Sequence, residues 1–262
     1  MDIKLSDVIK KQAIVNIGCT GHVANGKSTL VRVLTGIATQ RFKSEKERNI
    51  TINIGYAGCK IWYSASTDEL KFTGSKTNIN VDSEGNNMSL VHHFSFVDCP
   101  GHEAFMNNML TGTAVMDMAF LLEDISSDVI PQVQTREHLL ALFNSGIKDI
   151  LVLANKCDLV KKNDLENGSN KIIEFLEEYI HKDEIKMIPI IAQKSKNIEY
   201  IGEYLRNKIS EYDRDLNEPL FMNIIRTFDI NKPGIDIDDY SGGVLGGSIS
   251  RGVIKLGDYV QI

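Results

Sequence analysis

The sequence predicts an α/β fold, a mostly parallel sheet with helices on both faces, followed by the start of an all-β barrel. Three observations carry this. Strand-like runs and helical faces alternate from Ala13 onward to Ile209, the pattern that builds parallel sheets through helical crossovers. A glycine-rich stretch, Gly21-His22-Val23-Ala24-Asn25-Gly26-Lys27-Ser28, stands between the first apolar run and the first helix. Beyond Pro219 the helical faces give way to strand-like runs separated by Lys232-Pro233-Gly234 and Ser241-Gly242-Gly243. Residues 1–216 therefore form one domain, with an insertion around 60–91. Residues 217–262 begin a second that they are too few to close, so the chain is expected to stop inside it.

Taken in order, Ala13-Ile14-Val15-Asn16-Ile17-Gly18 is the first strand and Thr29-Leu30-Val31-Arg32-Val33-Leu34 the first helix. Residues 39–49 hold Arg41, Lys43, Glu45, Lys46, Glu47 and Arg48 and read as a charged, solvated loop. Ile50-Thr51-Ile52-Asn53-Ile54 alternates at period two and reads as a strand, as does Lys60-Ile61-Trp62-Tyr63. Residues 64–88 are polar, with weak periodicity, and read as a mobile or loosely packed insertion at the domain edge. Order returns with the strand 91–97, a helix from about Glu103 to Leu110, a buried strand at 118–122, and a helix that starts near Pro131 and stops at Gly146. The strand 149–154, a helical face on Ile172, Ile173, Leu176, Tyr179 and Ile180, the strand 187–191, and a face on Ile198, Ile201, Leu205 and Ile209 complete the domain.

Composition narrows the function classes. With 262 residues, 42% of them hydrophobic, the chain can bury a full core. A formal charge of −6 excludes a Lys/Arg coat for nonspecific nucleic-acid binding. Cys19, Cys59, Cys99 and Cys157 form no C-x-x-C pair, which suits a reduced, cytoplasmic chain without disulfides. The amino terminus is charged, and no run reaches the ~18 apolar residues of a membrane span.

Three stretches follow predicted strands and so gather where open α/β sheets bind ligands. The 21–28 stretch fits G-x-x-x-x-G-K-[ST]. Its glycines let successive N–H groups turn toward phosphate oxygens, Lys27 reaches the β and γ phosphates, and the Ser28 hydroxyl holds Mg²⁺. Asp98-Cys99-Pro100-Gly101-His102 offers a carboxylate to support Mg²⁺, a glycine that can approach a γ phosphate, and an imidazole that can orient water; as a surface feature Asp98 would be a helix cap and His102 an exposed ring. Asn155-Lys156-Cys157-Asp158 discriminates between bases. Guanine presents N1–H and N2–H₂ side by side, which an ionised Asp158 accepts together, whereas adenine has neither donor there. Lys156 can cover the purine with its aliphatic stem, and Asn155 can tie this loop to the phosphate loop. Thr51 is a further Mg²⁺ candidate, its hydroxyl reaching the metal only while a γ phosphate holds the preceding loop.

These motifs, Gly21 through Thr29, Arg48-Asn49-Ile50-Thr51-Ile52, Asp98 through His102, and Asn155 through Asp158, together resemble the translational GTPases. More narrowly, 48–57, 91–102 and Arg226-Thr227-Phe228-Asp229-Ile230-Asn231-Lys232-Pro233-Gly234 resemble the gamma subunit of eukaryotic and archaeal translation initiation factor 2. The resemblance implies a P-loop GTPase domain that binds GTP or GDP and Mg²⁺ and hydrolyses GTP slowly without an activating partner. It implies a carrier of initiator methionyl-tRNA that works with alpha and beta subunits, the small ribosomal subunit, and GTPase-activating and nucleotide-exchange factors. It also implies a third domain beyond Ile262. Ala192 and Gln193 fall where the family approaches the guanine O6, with Ile191 in place of its usual Ser. Asn25 stands where the family usually has His. The family's four zinc-binding cysteines have no counterpart in 60–91, and no zinc is expected; Cys59, His92, His93 and Cys99 are too few and too strand-bound to substitute. An elongation-type or selenocysteine-specific tRNA carrier, an ATP-using kinase or sulfurylase-type enzyme, and a module that holds GTP without hydrolysing it are the competing readings.

Overall fold

The computed structural model describes residues 5–48, 50–212 and 214–262. Met1 to Lys4 of the charged amino terminus, the Arg48 side chain, Asn49 and Asp213 lie outside the described residues. The chain divides into two compact units, Met1–Tyr212 and Asp213–Ile262.

The first unit runs α1 (Leu5–Lys11), β1 (Val15–Thr20), α2 (Lys27–Thr35), α3 (Lys43–Arg48), β2 (Gly55–Ser64), β3 (Glu69–Gly74), β4 (Ser89–Asp98), α4 (Met106–Thr113), β5 (Met118–Asp124), α5 (Val133–Asn144), β6 (Ile150–Asn155), α6 (Lys162–Leu176), β7 (Lys186–Pro189) and α7 (Ile198–Lys208). Its seven strands form one sheet in the order β3-β2-β4-β1-β5-β6-β7. β4, β1, β5, β6 and β7 are parallel, while β2 and β3 add an antiparallel edge. This is the α/β class expected from the alternating pattern.

Period-two alternation decides what each face meets. Val15, Ile17, Cys19, Phe94, Phe96, Phe120 and Leu153 point into one fully buried cluster with Leu30, Val31 and Leu34 of α2 and Ile201 and Leu205 of α7. Ala119, Leu121 and Val152, one residue out of phase, are buried as well, and α5 packs on β5 with Leu139 and Leu142 inside. Each buried Val, Leu, Ile or Phe among them stabilises the fold by about 1.5–3 kcal/mol relative to exposure. Because both faces are covered, the parallel strands open to ligands only at their ends.

Three segments differ from what the sequence pattern predicts. The charged run at 39–49, read as a loop, forms helix α3 over Lys43–Arg48, with Glu45 buried within it. Residues 50–54 make no strand: the N–H groups of Ile52 and Asn53 bond to the Glu45 carboxylate at 3.1 and 3.0 Å instead of to a neighbouring strand, and β2 begins at Gly55. The insertion is ordered around one side chain. Asp82, 4% exposed, accepts hydrogen bonds from the Ser64, Ser66 and Thr67 hydroxyls and from the Glu84 and Asn86 N–H groups. Part of the polar composition of 64–88 is thus gathered around one buried carboxylate, which periodicity cannot register.

The second unit contains β8 (Phe221–Phe228) and β9 (Val244–Arg251), paired antiparallel. The 226–234 stretch thus ends β8 and continues past it: Asp229 accepts from Asn231 N–H and Nδ2, and Asn231 Oδ1 accepts from Ser241 N–H at 3.0 Å. No helix of the described residues is long and apolar enough to cross a membrane.

Candidate nucleotide site

The loop between β1 and α2 has the backbone that a phosphate cradle needs. Gly21 and Gly26 have φ of +128° and +97°, and a Cβ at Gly21 would lie 2.2 Å from the Leu122 carbonyl oxygen. Ala24 also adopts φ +63°, a left-handed conformation rare for a residue with a Cβ. Val23, Ala24, Gly26, Lys27, Ser28 and Thr29 line one concave pocket with Gln40, Ile50, Thr51, Gly101 and His102. Lys27 is buried, and its Nζ donates to the Gly21 and His22 carbonyls at 2.8 and 2.6 Å. Burial lowers its pKa to about 8, against the opposing pull of Asp98. An ammonium so poorly solvated gains from a phosphate oxygen more than a solvated one would.

Ser28, Thr51 and Asp98 come together as the sequence places them. The Ser28 and Thr51 hydroxyls are 2.9 Å apart. Asp98 is fully buried at the end of β4; Oδ2 accepts from the Thr39 hydroxyl at 2.5 Å and Oδ1 has no hydrogen-bond partner. Desolvation pushes its pKa up, opposed by Thr39, Ser28 and Lys27. Two hydroxyls and a buried carboxylate with an unused oxygen are a hard donor set, which fits Mg²⁺ with part of its water shell retained. Gly101 passes so close that a Cβ there would sit 2.4 Å from Lys27 Nζ. His102 is exposed, and its Nδ1 accepts the Ala104 N–H at 3.1 Å as the cap of a 3₁₀ turn, which leaves Nε2 for other partners.

At the base end, Asn155 is a hub. Its Nδ2 donates to the Asn25 carbonyl at 2.8 Å and its Oδ1 accepts the Ala192 N–H at 3.0 Å. The Ala192 N–H therefore faces Asn155 in this structure. Lys156 has φ +64°, and its ammonium pairs with Asp124 at 2.5 Å, which leaves the stem to present a flat apolar edge. Asp158 pairs with Lys194 at 2.6 Å, and that bond, with Lys194 and Lys196 charges, holds its carboxyl below the usual range. Gln193 is exposed beside them.

A layer behind the phosphate loop escaped the sequence reading. His138 of α5 accepts the Gly21 N–H on Nδ1 at 2.9 Å, and Thr135 accepts the His22 N–H at 3.3 Å. Glu123, at the end of β5, accepts from Thr135 Oγ1, from Gln132 N–H and from Asn25 Nδ2 at 2.5, 2.7 and 3.3 Å. Asn25, read as a departure of little weight, is thus fully buried and ties the loop to β5, donating also to the Leu122 carbonyl at 2.8 Å. Burial pushes Glu123 up to about 7 and His138 down to about 3. The signal for this layer was Glu123 and Asp124 closing an apolar strand, with polar Thr135 and His138 on one side of the next helix.

Residues 12–211 match the family model described as the elongation factor Tu GTP binding domain. The chain is 43% identical to eukaryotic translation initiation factor 2 subunit 3 of Drosophila melanogaster, over 98% of this chain and 55% of that one. It is also 43% identical to the gamma subunit of the factor from Schizosaccharomyces pombe, over 97% of this chain and 58% of that one. The chain thus spans a little over half the length of these curated relatives. Among solved structures, the bacterial selenocysteine-specific elongation factor EF-Sec aligns with TM-score 0.69 and 26% identity, over 94% of this chain and 36% of that one. Translation elongation factor SelB from Methanococcus maripaludis, crystallised with the GTP analogue GPPNHP, aligns with TM-score 0.66 and 22% identity over 95% and 44%, a likeness of fold. The chain belongs to the GTPase family of the elongation factor Tu GTP binding domain, and the relatives it matches at 43% identity are gamma subunits of eukaryotic translation initiation factor 2.

Proposed function

We propose that this chain is the GTP-binding part of an initiation factor 2 gamma subunit, with a GTPase domain at 1–216 and a β-barrel beginning at 217. In its GTP form the whole protein carries initiator methionyl-tRNA to the small ribosomal subunit together with alpha and beta subunits, and hydrolysis switches it off in the cytoplasm. One observation carries the nucleotide reading: Asn155 Nδ2 on the Asn25 carbonyl at 2.8 Å locks the N-K-x-D segment against the phosphate loop, so base and phosphates are read by one rigid frame.

In this reading the N–H groups of 21–29 surround the phosphates, Lys27 neutralises β and γ oxygens, and Ser28, Thr51 and Asp98 hold Mg²⁺. Mg²⁺ withdraws charge from the phosphate oxygens. Gly101 and Thr51 report the γ phosphate, and His102 orients water through Nε2. Lys156 covers the purine, Asp158 accepts from guanine N1–H and N2–H₂ with Lys194 competing for its Oδ2, and Gln193 flanks the base. Ala192 reaches O6 if its N–H turns from Asn155. Among the described residues no Arg lines the phosphate pocket, so hydrolysis is slow alone; an Arg supplied in trans contributes about 10³–10⁵-fold in other GTPases. No zinc is assigned to the insertion. Its neighbours are otherwise engaged: His92 with the Arg206 carbonyl, His93 with Ser75 and the Ile9 carbonyl, and Cys59 with the Leu34 carbonyl.

The test is Asp158→Asn, which should weaken GTP binding by at least about 10-fold and favour a xanthine nucleotide, because the amide offers a donor where the carboxylate accepted. Unchanged GTP affinity removes the base-reading role.

A further inference from the structure

We propose that Glu45 is a positioning residue for Thr51, a carboxylate latch that closes the α3 segment so that the Thr51 hydroxyl is presented to Ser28. The proposal rests on the GTP-switch reading above. Glu45 lies in a charged run whose other members behave as solvated side chains: Lys43 and Glu47 pair at 3.6 Å with side chains 89% and 64% exposed. Glu45 is 2% exposed. Its Oε2 accepts the N–H groups of Arg41 and Phe42 at 3.0 and 3.2 Å, before α3, and its Oε1 accepts those of Ile52 and Asn53 at 3.1 and 3.0 Å, after it.

A carboxylate has about four lone-pair directions, and here all four are filled by main-chain donors. A substitute at this position could not do the same: Gln would turn a donor toward donors, and a shorter arm would reach one side only. Burial alone would raise the carboxyl pKa, but the four N–H groups outweigh it and hold Glu45 ionised. The bonds bracket Thr51. Ile50 N–H donates to the Glu45 carbonyl at 3.1 Å and Ile52 N–H to its side chain, so the residues on both sides of Thr51 are fixed to one amino acid. Asn108 Nδ2 of α4 holds the Ile52 carbonyl at 2.8 Å, which anchors the far side to the domain. Thr51 itself is 7% exposed, its Oγ1 2.9 Å from Ser28 Oγ.

The latch therefore acts on what distinguishes GTP from GDP. Phosphate-loop and Asn155 contacts serve both nucleotides; Thr51 serves the γ phosphate and its Mg²⁺. Losing a charged acceptor of four hydrogen bonds should weaken the GTP state by about 10–100-fold and leave GDP within about 2-fold.

The experiment titrates the full chain, with Mg²⁺, against a fluorescent GDP and a fluorescent nonhydrolysable GTP analogue. It compares wild type, Glu45→Gln, Glu45→Asp, Thr51→Ala and the Glu45→Gln/Thr51→Ala double variant. The expected result is selective loss of analogue affinity in Glu45→Gln, a smaller loss in Glu45→Asp, and a double variant no worse than Thr51→Ala, since Glu45 acts through Thr51. Retained GDP binding reports that each variant is folded. Equal loss of both nucleotides, losses that add in the double variant, or no loss in either Glu45 variant overturns the latch while leaving the nucleotide site standing. A wild type that binds neither nucleotide overturns the switch reading, and the latch with it.

Discussion

Asn155 and Asn25 lie 130 positions apart, yet the Asn155 side chain donates to the Asn25 carbonyl at 2.8 Å. Asn25 in turn donates its own amide to the end of β5. Three parallel strands, β1, β5 and β6, are thereby cross-linked above the sheet by two buried amides. Asn155→Ala removes both bonds of one of them and leaves the Ala192 N–H unpaired. At about 1–3 kcal/mol for an unsatisfied buried group, it should lower the melting temperature by several degrees and weaken GDP and GTP equally, as thermal unfolding and nucleotide titration would register.

Glu123 and His138 predict a pH dependence of stability with two opposed parts. Burial raises Glu123 from 4.5 to about 7, so the folded protein holds a proton there that the unfolded chain releases above 4.5. Its stabilisation is full below 4.5 and is lost as pH rises through 7. His138 is lowered from 6.5 to about 3, so its contribution is full above 6.5 and is lost as pH falls toward 3. Between about 4.5 and 6.5 the two slopes, each near 1.4 kcal/mol per pH unit, cancel. Denaturant titrations of Glu123→Gln should therefore show stability falling steadily with acid from pH 6.5, where the wild type is flat.

In the base-reading role proposed for Asp158, Lys194 competes with guanine for one of the two carboxylate oxygens, Oδ2. The pair is 2.6 Å apart, but the side chains are 58% and 23% exposed, so its worth is small and screened by salt. Lys194→Ala should raise GDP affinity by no more than about 5-fold at low ionic strength, with the gain vanishing at high salt. A loss of affinity would mean that Lys194 contacts the nucleotide.

His102 is exposed, its Nδ1 accepting the Ala104 N–H and its ring 5.9 Å from that of Phe105, with Nε2 left for other partners. His102→Ala should leave the affinity for a GTP analogue within about 2-fold and reduce single-turnover phosphate release by about 10²-fold or more, the range of a positioned general base or water-orienting group.

The parts legible in the sequence are those where chemistry constrains neighbouring residues. The glycines of the phosphate loop, Asp98 beside Gly101, and Asp158 after Asn155 each sit within a few positions of the strand that aims them. What escaped was decided over long distances or by the main chain. Glu123 and His138 meet Asn25 and Gly21 across gaps of 98 and 117 positions. Glu45 carries no hint of burial, because its four partners are backbone N–H groups that every residue but proline has. Those same bonds took the donors of Ile52 and Asn53, so the alternation of 50–54, a fair strand pattern by side chains, could not become a strand. Asp82 shows the reverse case, a buried carboxylate in a polar segment, satisfied by the hydroxyls and N–H groups of its own neighbours.

The central claim, that this nucleotide site governs tRNA carriage, is tested most directly by the affinity of the full-length protein for initiator methionyl-tRNA with GTP against GDP. The account predicts binding at least about 10-fold tighter with GTP, a coupling of about 1.4 kcal/mol or more. Equal affinities would contradict it.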